Sequence, residues 1–479
     1  MLASAGIFGH VATPVPITGL TADSRRVLPG YLFAALPGLH ADGRKFIADA
    51  VASGAAAVLA PSGTAWPPGV PPRPLIEHAE PRRALALLAA AHAGPQPDSI
   101  VAVTGTNGKT STVDFIRQLF TVAGQKAASL GTLGVLAPGL DGGSGLTTPD
   151  PVALAETLAQ LAREGVRHAA LEASSHGLDQ FRLDGVRLAA AGFSNFSRDH
   201  LDYHGGFDAY RAAKLRLFAE LLPAGAPAVV NADMDATTLD ALRAIAGKRR
   251  LALRTVGEAG NWATLLGSTP LPHGQVVTLA TGGREHRIEL ALPGRFQADN
   301  VLLAAALAEA TGLANAWELV PRLRGVRGRM EFAARLPNGA ACYVDYAHTP
   351  DALERLLLAL RPHTQHRLIC VFGAGGDRDA GKRPLMGAVV ARLADAAIVT
   401  DDNPRTEDAA SIRTRIMTAC PGAREIGDRA SAIAAALNFA GPGDVVVVAG
   451  KGHEQGQIIG RDVLPFDDAS TIRALAGAA

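Results

Sequence analysis

The chain has 479 residues, 48% of them hydrophobic and 19% charged, which excludes a single small core and a disordered chain. Lys and Arg number 46 against 45 Asp and Glu, so a formal charge of +1 gives no footprint for nucleic acid, and any basic cluster must serve a small anion. Cys342, Cys370 and Cys420 are far apart and form no CxxC pair, Met1–His10 has no basic apolar leader, and no apolar run nears the ~20 residues of a membrane span, so a reducing, cytoplasmic setting is expected.

In chain order, residues 1–94 read as a short α/β unit. A helix ending at Gly54 leads to a strand over Ala56–Ala60, the Pro/Gly-rich stretch Pro61–Pro74 follows, and an Ala/Leu helix over Pro81–His92 stops at the linker-like Gly94-Pro95-Gln96-Pro97. Residues 95–328 open with a buried strand, Ile100–Thr104, a glycine loop and a helix from Thr110. Strands are expected at His168–Glu172, Ala189–Phe193 and Ala228–Asn231, with helices between them, among these Tyr210–Leu221 and one that begins at Asn300. In residues 329–479, strands at Ala341–Tyr346, Arg367–Phe372, Ala396–Thr400 and Val445–Ala449 alternate with helices such as Pro350–Leu360 and Ala430–Phe439. This alternation predicts an α/β chain of three domains, the central one with a mainly parallel sheet and the last doubly wound.

The strongest motif is Thr104-Gly105-Thr106-Asn107-Gly108-Lys109-Thr110-Ser111, placed between the first strand of the central zone and its helix. There the glycines let backbone N–H groups wrap an anion and the helix N-terminus adds a favourable dipole. Lys109 is placed to reach the terminal phosphates of a nucleoside triphosphate and Thr110 to ligate Mg²⁺. Val103 stands where a full GxxxxGK[ST] loop has its first glycine, so this is the shorter TGTNGKT form.

That loop heads a series of motifs in fixed order: Thr147-Thr148-Pro149-Asp150, Glu172-Ala173-Ser174-Ser175-His176-Gly177-Leu178, Asn195–Gly205 with its Asp199-His200, and Tyr210–Lys214. Gly328-Arg329-Met330-Glu331, Asp345–Pro350, Gly375–Asp379, Asp402-Asn403-Pro404-Arg405 and Gly450-Lys451-Gly452-His453-Glu454 complete it. The series resembles the Mur ligase family over nearly the whole chain. The resemblance implies an N-terminal domain (1–94) for the UDP end of the substrate, a central P-loop ATPase domain (95–328) and a C-terminal Rossmann-like domain (329–479). It implies a monomer that uses ATP and Mg²⁺ to join an amino acid to UDP-N-acetylmuramoyl-L-alanyl-D-glutamate, without nucleic-acid or membrane partners.

The chemistry explains the residue types. A carboxylate is a poor electrophile, and attack on the γ-phosphate of ATP turns it into an acyl phosphate that an amine can open; phosphoryl transfer to an anion needs positive charge around that phosphate. Glu172 ends a buried strand, where a carboxylate is costly without a cation, and the resemblance makes it a Mg²⁺ ligand with Thr110. The same likeness makes His200 a second metal ligand and Lys214 a carbamylated lysine, whose modification turns an ammonium into an anionic oxygen donor. On spacing alone Lys214 reads as a solvated helix lysine and Glu172 as a capping or ion-pair carboxylate. By resemblance Asn300 contacts adenine, and Arg329, Asp345 and His348 reach ATP, whereas the residues alone also allow a helix-start Asn and hinge ion pairs. Ser24 and the stretch Leu39-His40-Ala41 fall where the uridine end is held, although the family often has His-Gln-Ala at that stretch. Thr147, Thr148, Ser174, Gln180 and Arg182 match positions that hold sugar and dipeptide.

In this family Asp402-Asn403-Pro404-Arg405 accompanies meso-diaminopimelate, which carries a second carboxylate that lysine lacks. Arg405 can grip that carboxylate bidentately, and with lysine bound a buried unpaired Arg costs about 3–5 kcal/mol. Arg378, Gly450 and Glu454 complete the pocket, Glu454 facing the distal ammonium. Lysine as the added amino acid is the alternative; sister ligases adding D-Ala-D-Ala or folate glutamates fit the paired-serine run and the DNPR selector less well. A P-loop switch or motor ATPase has no use for a separate amino-acid pocket, and an inactive scaffold does not need so many reactive residues.

Overall fold

The computed structural model describes residues 15–38, 41–142, 146–197 and 201–477. They form two compact units, one from residues up to Thr255 together with Ala306–Ala314, the other from Val256–Ala305 together with Asn315 onward.

The first unit begins with a four-stranded parallel sheet in the order β1 (Gly19–Thr21), β2 (Tyr31–Ala34), β3 (Ala57–Pro61) and β4 (Leu75–His78). Helix Pro81–Ala93 starts with Pro81 in its first turn, where the missing N–H costs nothing, and buries Leu85 and Leu88 against this sheet. The strands after it are β5 (Ser99–Thr104), β6 (Ala127–Gly131), β7 (Gly134–Ala137), β8 (Leu140–Gly142), β9 (His168–Glu172), β10 (Ala190–Phe193) and β11 (Pro227–Asn231). They lie in the order β11-β10-β5-β9-β6-β7-β8, parallel except for the β6-β7-β8 turns. β5 is central, and its fully apolar face pattern reflects cover on both sides. The two parts of this unit are tied by Arg83 to the buried Asp184 at 3.1 Å and by Gln96, whose amide donates to the Gly185 carbonyl at 2.8 Å.

β12 (Ala252–Gly257) leads out of this unit. The second unit holds an antiparallel meander of β13 (Ala263–Leu271), β14 (Gly274–Thr281) and β15 (Arg284–Leu290), which the chain-order reading did not anticipate. Then come β16 (Glu331–Arg335), β17 (Ala341–Asp345), β18 (Leu368–Phe372), β19 (Ala396–Val399), β20 (Arg424–Glu425), β21 (Val445–Ala449) and the hairpin β22 (Gly456–Ile459) and β23 (Asp462–Pro465). The sheet order is β16-β17-β21-β18-β19-β20, with only the β16 edge antiparallel. Its two faces bury separate apolar clusters, one around Tyr343, Leu357 and Phe372, the other around Val344, Ile369 and Ile433. The three cysteines are buried free thiols, and burial pushes that of Cys342 up to about 12.

Two expected helices differ in detail. The helix carrying Lys214 runs Phe207–Arg216 and then widens into a π turn over Leu217–Leu221, closed by Leu222 N–H on the Leu217 carbonyl at 2.9 Å. The helix expected to begin at Asn300 begins at Arg295, directly after Gly294 turns the chain at φ +86°; Asn300 is therefore interior and not a cap. Among the described residues, no helix is long and apolar enough to cross a membrane.

Candidate active site

The loop between β5 and helix Lys109–Val122 is held in shape by the segment after β10, the neighbouring strand. Gly105 sits at φ +142°, and a Cβ there would fall 2.0 Å from Ser194 Oγ, so only glycine fits. Asn107 N–H donates to Asn195 Oδ1 at 2.9 Å, Asn195 Nδ2 returns a bond to the Asn107 carbonyl at 3.0 Å, and Ser194 Oγ donates to that carbonyl at 2.5 Å. Thr106 Oγ1 accepts from Ser197 N–H at 3.0 Å and lies 3.2 Å from the Tyr210 hydroxyl. Gly108, at φ +82°, opens the helix with no side-chain cap, which leaves N–H groups of the first turn for a ligand. Thr110 and Ser111 are buried on that turn.

Two ammonium groups meet one carbonyl. Lys109 Nζ donates to the Gly105 carbonyl at 2.9 Å and the Thr106 carbonyl at 2.8 Å. Lys214 Nζ donates to the same Gly105 oxygen at 2.8 Å and lies 4.5 Å from the centre of the Tyr210 ring. Lys214 is 1% exposed, which rules out the solvated helix lysine that its spacing alone allows.

Glu172 ends β9, and the register that sets it beside Val103 brings its carboxylate to the loop. Its Oε1 accepts from Thr110 Oγ1 at 3.0 Å and from Thr132 N–H at 2.7 Å, and its Oε2 lies 3.3 Å from Thr132 Oγ1. A hydroxyl and a carboxylate converging beside an uncapped helix start suit Mg²⁺, which takes one or two protein oxygens and completes its shell with water and phosphate. His200 lies outside the described residues, as do Leu39 and His40.

The residues expected to hold sugar and dipeptide join this cluster. Thr132 Oγ1 donates to Thr147 Oγ1 at 3.2 Å; Thr148 Oγ1 donates to the Glu172 carbonyl at 2.8 Å and lies 2.9 Å from Ser174 Oγ. Ser174 caps the short helix Ser175–Asp179 by accepting from Gly177 N–H at 3.0 Å. Arg182 donates to the Thr148 carbonyl at 2.7 Å and to Gln180 Oε1 at 2.6 Å, and Gln180 Nε2 donates to the Tyr203 hydroxyl at 3.0 Å. One hydrogen-bonded series thus runs from the phosphate loop to Arg182. Ser24 is half-buried on the 3₁₀ turn Ser24–Arg26 and makes no bond to this series.

In the second unit, Asp345 Oδ2 accepts from Met330 N–H at 2.7 Å and Oδ1 from Ala347 N–H at 2.8 Å, while burial pushes its carboxyl above the usual range. Arg329 lies over the Tyr346 ring at 5.1 Å, and its buried Nε meets no acceptor among the described residues. His348 Nδ1 faces the Tyr346 carbonyl at 2.8 Å, and burial lowers its pKa. Arg329, Asp345 and His348 therefore share one loop system. Asn300 is buried, with its amide on Gln297 Oε1 at 3.1 Å.

The loops after β18, β19 and β21 gather the remaining residues at the carboxyl ends of parallel strands, the usual ligand side of a doubly wound sheet. Arg405 stands at φ +53° and donates to the Gly376 carbonyl at 2.8 Å, beside buried Asp402, Asn403 and Pro404. Arg378 is exposed on the loop after β18. Gly450, at φ +119°, lies so near Asp402 that a Cβ would fall 2.7 Å from Oδ2. Glu454 Oε2 accepts from Asn403 Nδ2 at 2.8 Å. Thr132 and Ser194 shape these sites from outside every sequence motif, and Asn195, Tyr203, Tyr210 and Lys451 lie inside the motifs without a role assigned from sequence. Of these, Lys451 carried a signal, a lysine between two glycines just past a buried strand of four valines and an alanine.

A glycine loop on a central parallel strand, with a buried carboxylate against its threonine, defines an α/β protein that handles nucleoside triphosphates. The chain belongs to the Mur ligase family. The family models described as "Mur ligase family, catalytic domain", "Mur ligase middle domain" and "Mur ligase, glutamate ligase domain" match residues 16–93, 103–308 and 328–452 in turn. The UDP-N-acetylmuramoyl-L-alanyl-D-glutamate--2,6-diaminopimelate ligase of Caulobacter vibrioides is 57% identical over 475 residues, covering 97% of each chain. The enzyme of the same name from Agrobacterium fabrum is 52% identical, over 96% of this chain and 93% of its own. A solved structure of a ligase of that name superimposes with a TM-score of 0.72 at 35% identity, over 97% of this chain and 95% of that one. MurF of Acinetobacter baumannii, at 21% identity and a TM-score of 0.61 over 90% of each chain, shares the fold.

Proposed function

We infer that the chain is an ATP-dependent ligase that adds meso-2,6-diaminopimelate to UDP-N-acetylmuramoyl-L-alanyl-D-glutamate, a step in building the peptidoglycan precursor. The observation that carries this reading is the unbroken series from Lys109 and Thr110 through Glu172 to Thr148, Ser174 and Arg182, which sets a peptide-holding arm against a phosphate loop. The substrate carboxylate attacks the γ-phosphorus, ADP leaves, and the amine nitrogen then attacks the acyl carbon; phosphate leaves and the amine loses a proton. Lys109 and the N–H groups of the loop bind the triphosphate and offset charge on the transferring group. Arg182, Thr147, Thr148, Ser174 and Gln180 orient the dipeptide, and Ser24 serves the uridine end. Thr110 and Glu172 would hold Mg²⁺, with His200 and a carbamylated Lys214 as further ligands, and the bound ion would screen the phosphate charges. Asn300, Arg329, Asp345 and His348 serve ATP, the buried Nε of Arg329 supplying an unused donor. Arg405 and Arg378 take the distal carboxylate of diaminopimelate and Glu454 its distal ammonium. The domains are 1–94, 95–328 and 329–479, and the enzyme acts as a cytoplasmic monomer. The test is phosphate release from ATP with the UDP-muramoyl dipeptide and either meso-diaminopimelate or lysine. Release with diaminopimelate alone is expected; equal release with lysine overturns the selector, and none with either amine overturns the activity.

A further inference from the structure

Lys451 is a wholly buried ammonium whose hydrogen-bond and ion-pair partners are Asp402, Asn403 and Glu454. Its Nζ donates to Asn403 Oδ1 at 2.9 Å and Glu454 Oε2 at 3.3 Å and lies 3.9 Å from Asp402 Oδ1, with 0% of its side chain exposed. β19 and β21, which carry these loops, are separated by β18, so the lysine spans a strand to join them. Asn403 Oδ1 also accepts from Ile458 N–H at 2.9 Å, which fixes the amide from a third side. Among the described residues, both hydrogen bonds of the Glu454 carboxylate fall on Oε2, from Lys451 and from Asn403 Nδ2, while its side chain remains 33% exposed. Oε1 is thus the oxygen left for a ligand.

We propose that Lys451 is a positioning residue that sets amino-acid specificity, by locking Glu454 and Asn403 together and by offsetting part of the carboxylate charge in the pocket. This rests on reading Asp402–Arg405 and Glu454 as the amino-acid pocket. Lys451 lies against both Asp402 and Glu454 and offsets part of their negative charge, which leaves an acidic side for the distal ammonium of diaminopimelate and Arg405 for the carboxylate. Without Lys451, Glu454 keeps only its bond from Asn403 Nδ2, and the charges of Asp402 and Glu454 lose the ammonium between them. That pocket repels a carboxylate and favours a side chain bearing only an ammonium, such as lysine.

The test is steady-state phosphate release by Lys451→Met, varying each substrate in turn. The KM for diaminopimelate should rise about tenfold or more, with the KM values for ATP and the UDP-muramoyl dipeptide within about twofold, and the diaminopimelate-to-lysine ratio of kcat/KM should fall about tenfold. An unchanged ratio, or an equal loss for all three substrates, overturns the proposal. Should circular dichroism show Lys451→Met unfolded, Lys451→Met/Glu454→Gln removes both charges and is compared with Glu454→Gln alone. No further rise in the KM for diaminopimelate supports action through Glu454, and a further equal loss for all substrates overturns it. Glu454→Gln and Arg405→Ala are the controls for the pocket itself: if neither raises that KM, the pocket reading fails and this proposal with it, whereas a rise in both with none in Lys451→Met overturns this proposal alone.

Discussion

Glu172→Gln separates chemistry from stability at the phosphate loop. In the protein, Oε1 accepts from Thr110 Oγ1 at 3.0 Å and Thr132 N–H at 2.7 Å. A glutamine carbonyl in that place keeps both bonds. Its amide then donates to Thr132 Oγ1, whose own proton turns to Thr147 Oγ1, 3.2 Å away. Two charge-assisted bonds become neutral ones, a loss of about 1–2 kcal/mol each. Against this, the variant escapes the desolvation cost, about several kcal/mol, of a carboxylate that is 1% exposed. The two effects oppose each other, so Tm should move by no more than about 5 °C. Catalysis has no such compensation: a neutral amide cannot match a carboxylate toward a cation beside the γ-phosphate, and kcat should fall about 10²–10³-fold. Phosphate release at saturating ATP across a Mg²⁺ titration, with Tm by circular dichroism, measures both. A kcat within about tenfold of the parent at saturating Mg²⁺ refutes the ligand role. A drop in Tm beyond about 10 °C instead makes the lost activity structural.

Other perturbations have outcomes as definite. Arg405→Ala should abolish the preference for diaminopimelate over lysine while ATP binding, followed by equilibrium dialysis, is kept. Lys214→Ala should lose activity and recover part of it with added short carboxylic acids; no recovery removes the support for a carbamate. Gly328→Ala places a Cβ 2.1 Å from the His453 backbone nitrogen at φ +65° and should destabilise the second unit by about 2–3 kcal/mol in urea titration. Burial beside Arg329 and Arg327 lowers the pKa of His453 to about 4. Between its ordinary value near 6.5 and about 4, the unfolded chain binds a proton that the folded chain refuses, so stability falls as pH drops through that window. The loss of Tm from pH 7 to pH 5 should be smaller in His453→Asn than in the parent.

What could be read from the sequence follows from what burial does to a pattern. β5 and β21 are covered on both faces, and the runs at Ile100–Thr104 and Val445–Ala449 stand out for that reason. The β13–β15 meander was hidden because its strands are only partly buried and carry polar side chains, such as buried Gln275, that break up any apolar run. The phosphate loop was legible because backbone geometry dictates its glycines. The contacts that shape it were not: Thr132, Ser194 and Asn195 follow other strands, and only the order β10-β5-β9-β6 brings them alongside. Lys214 shows the same limit in reverse, since helix spacing does not tell which lysine faces inward.

The posture of Lys109 bears on how this protein lives among abundant small anions. A cavity lined with bare positive charge attracts orthophosphate and chloride indiscriminately. Here the lysine leans on two carbonyls of its own loop, at 2.8 and 2.9 Å, so a visitor must outbid peptide oxygens before it gains the ammonium. A lone monoanion offers little inducement; a polyphosphate tail, touching backbone and lysine together, offers enough. On the proposed nucleotide role, the main chain of the resting loop would itself discriminate against the wrong salts.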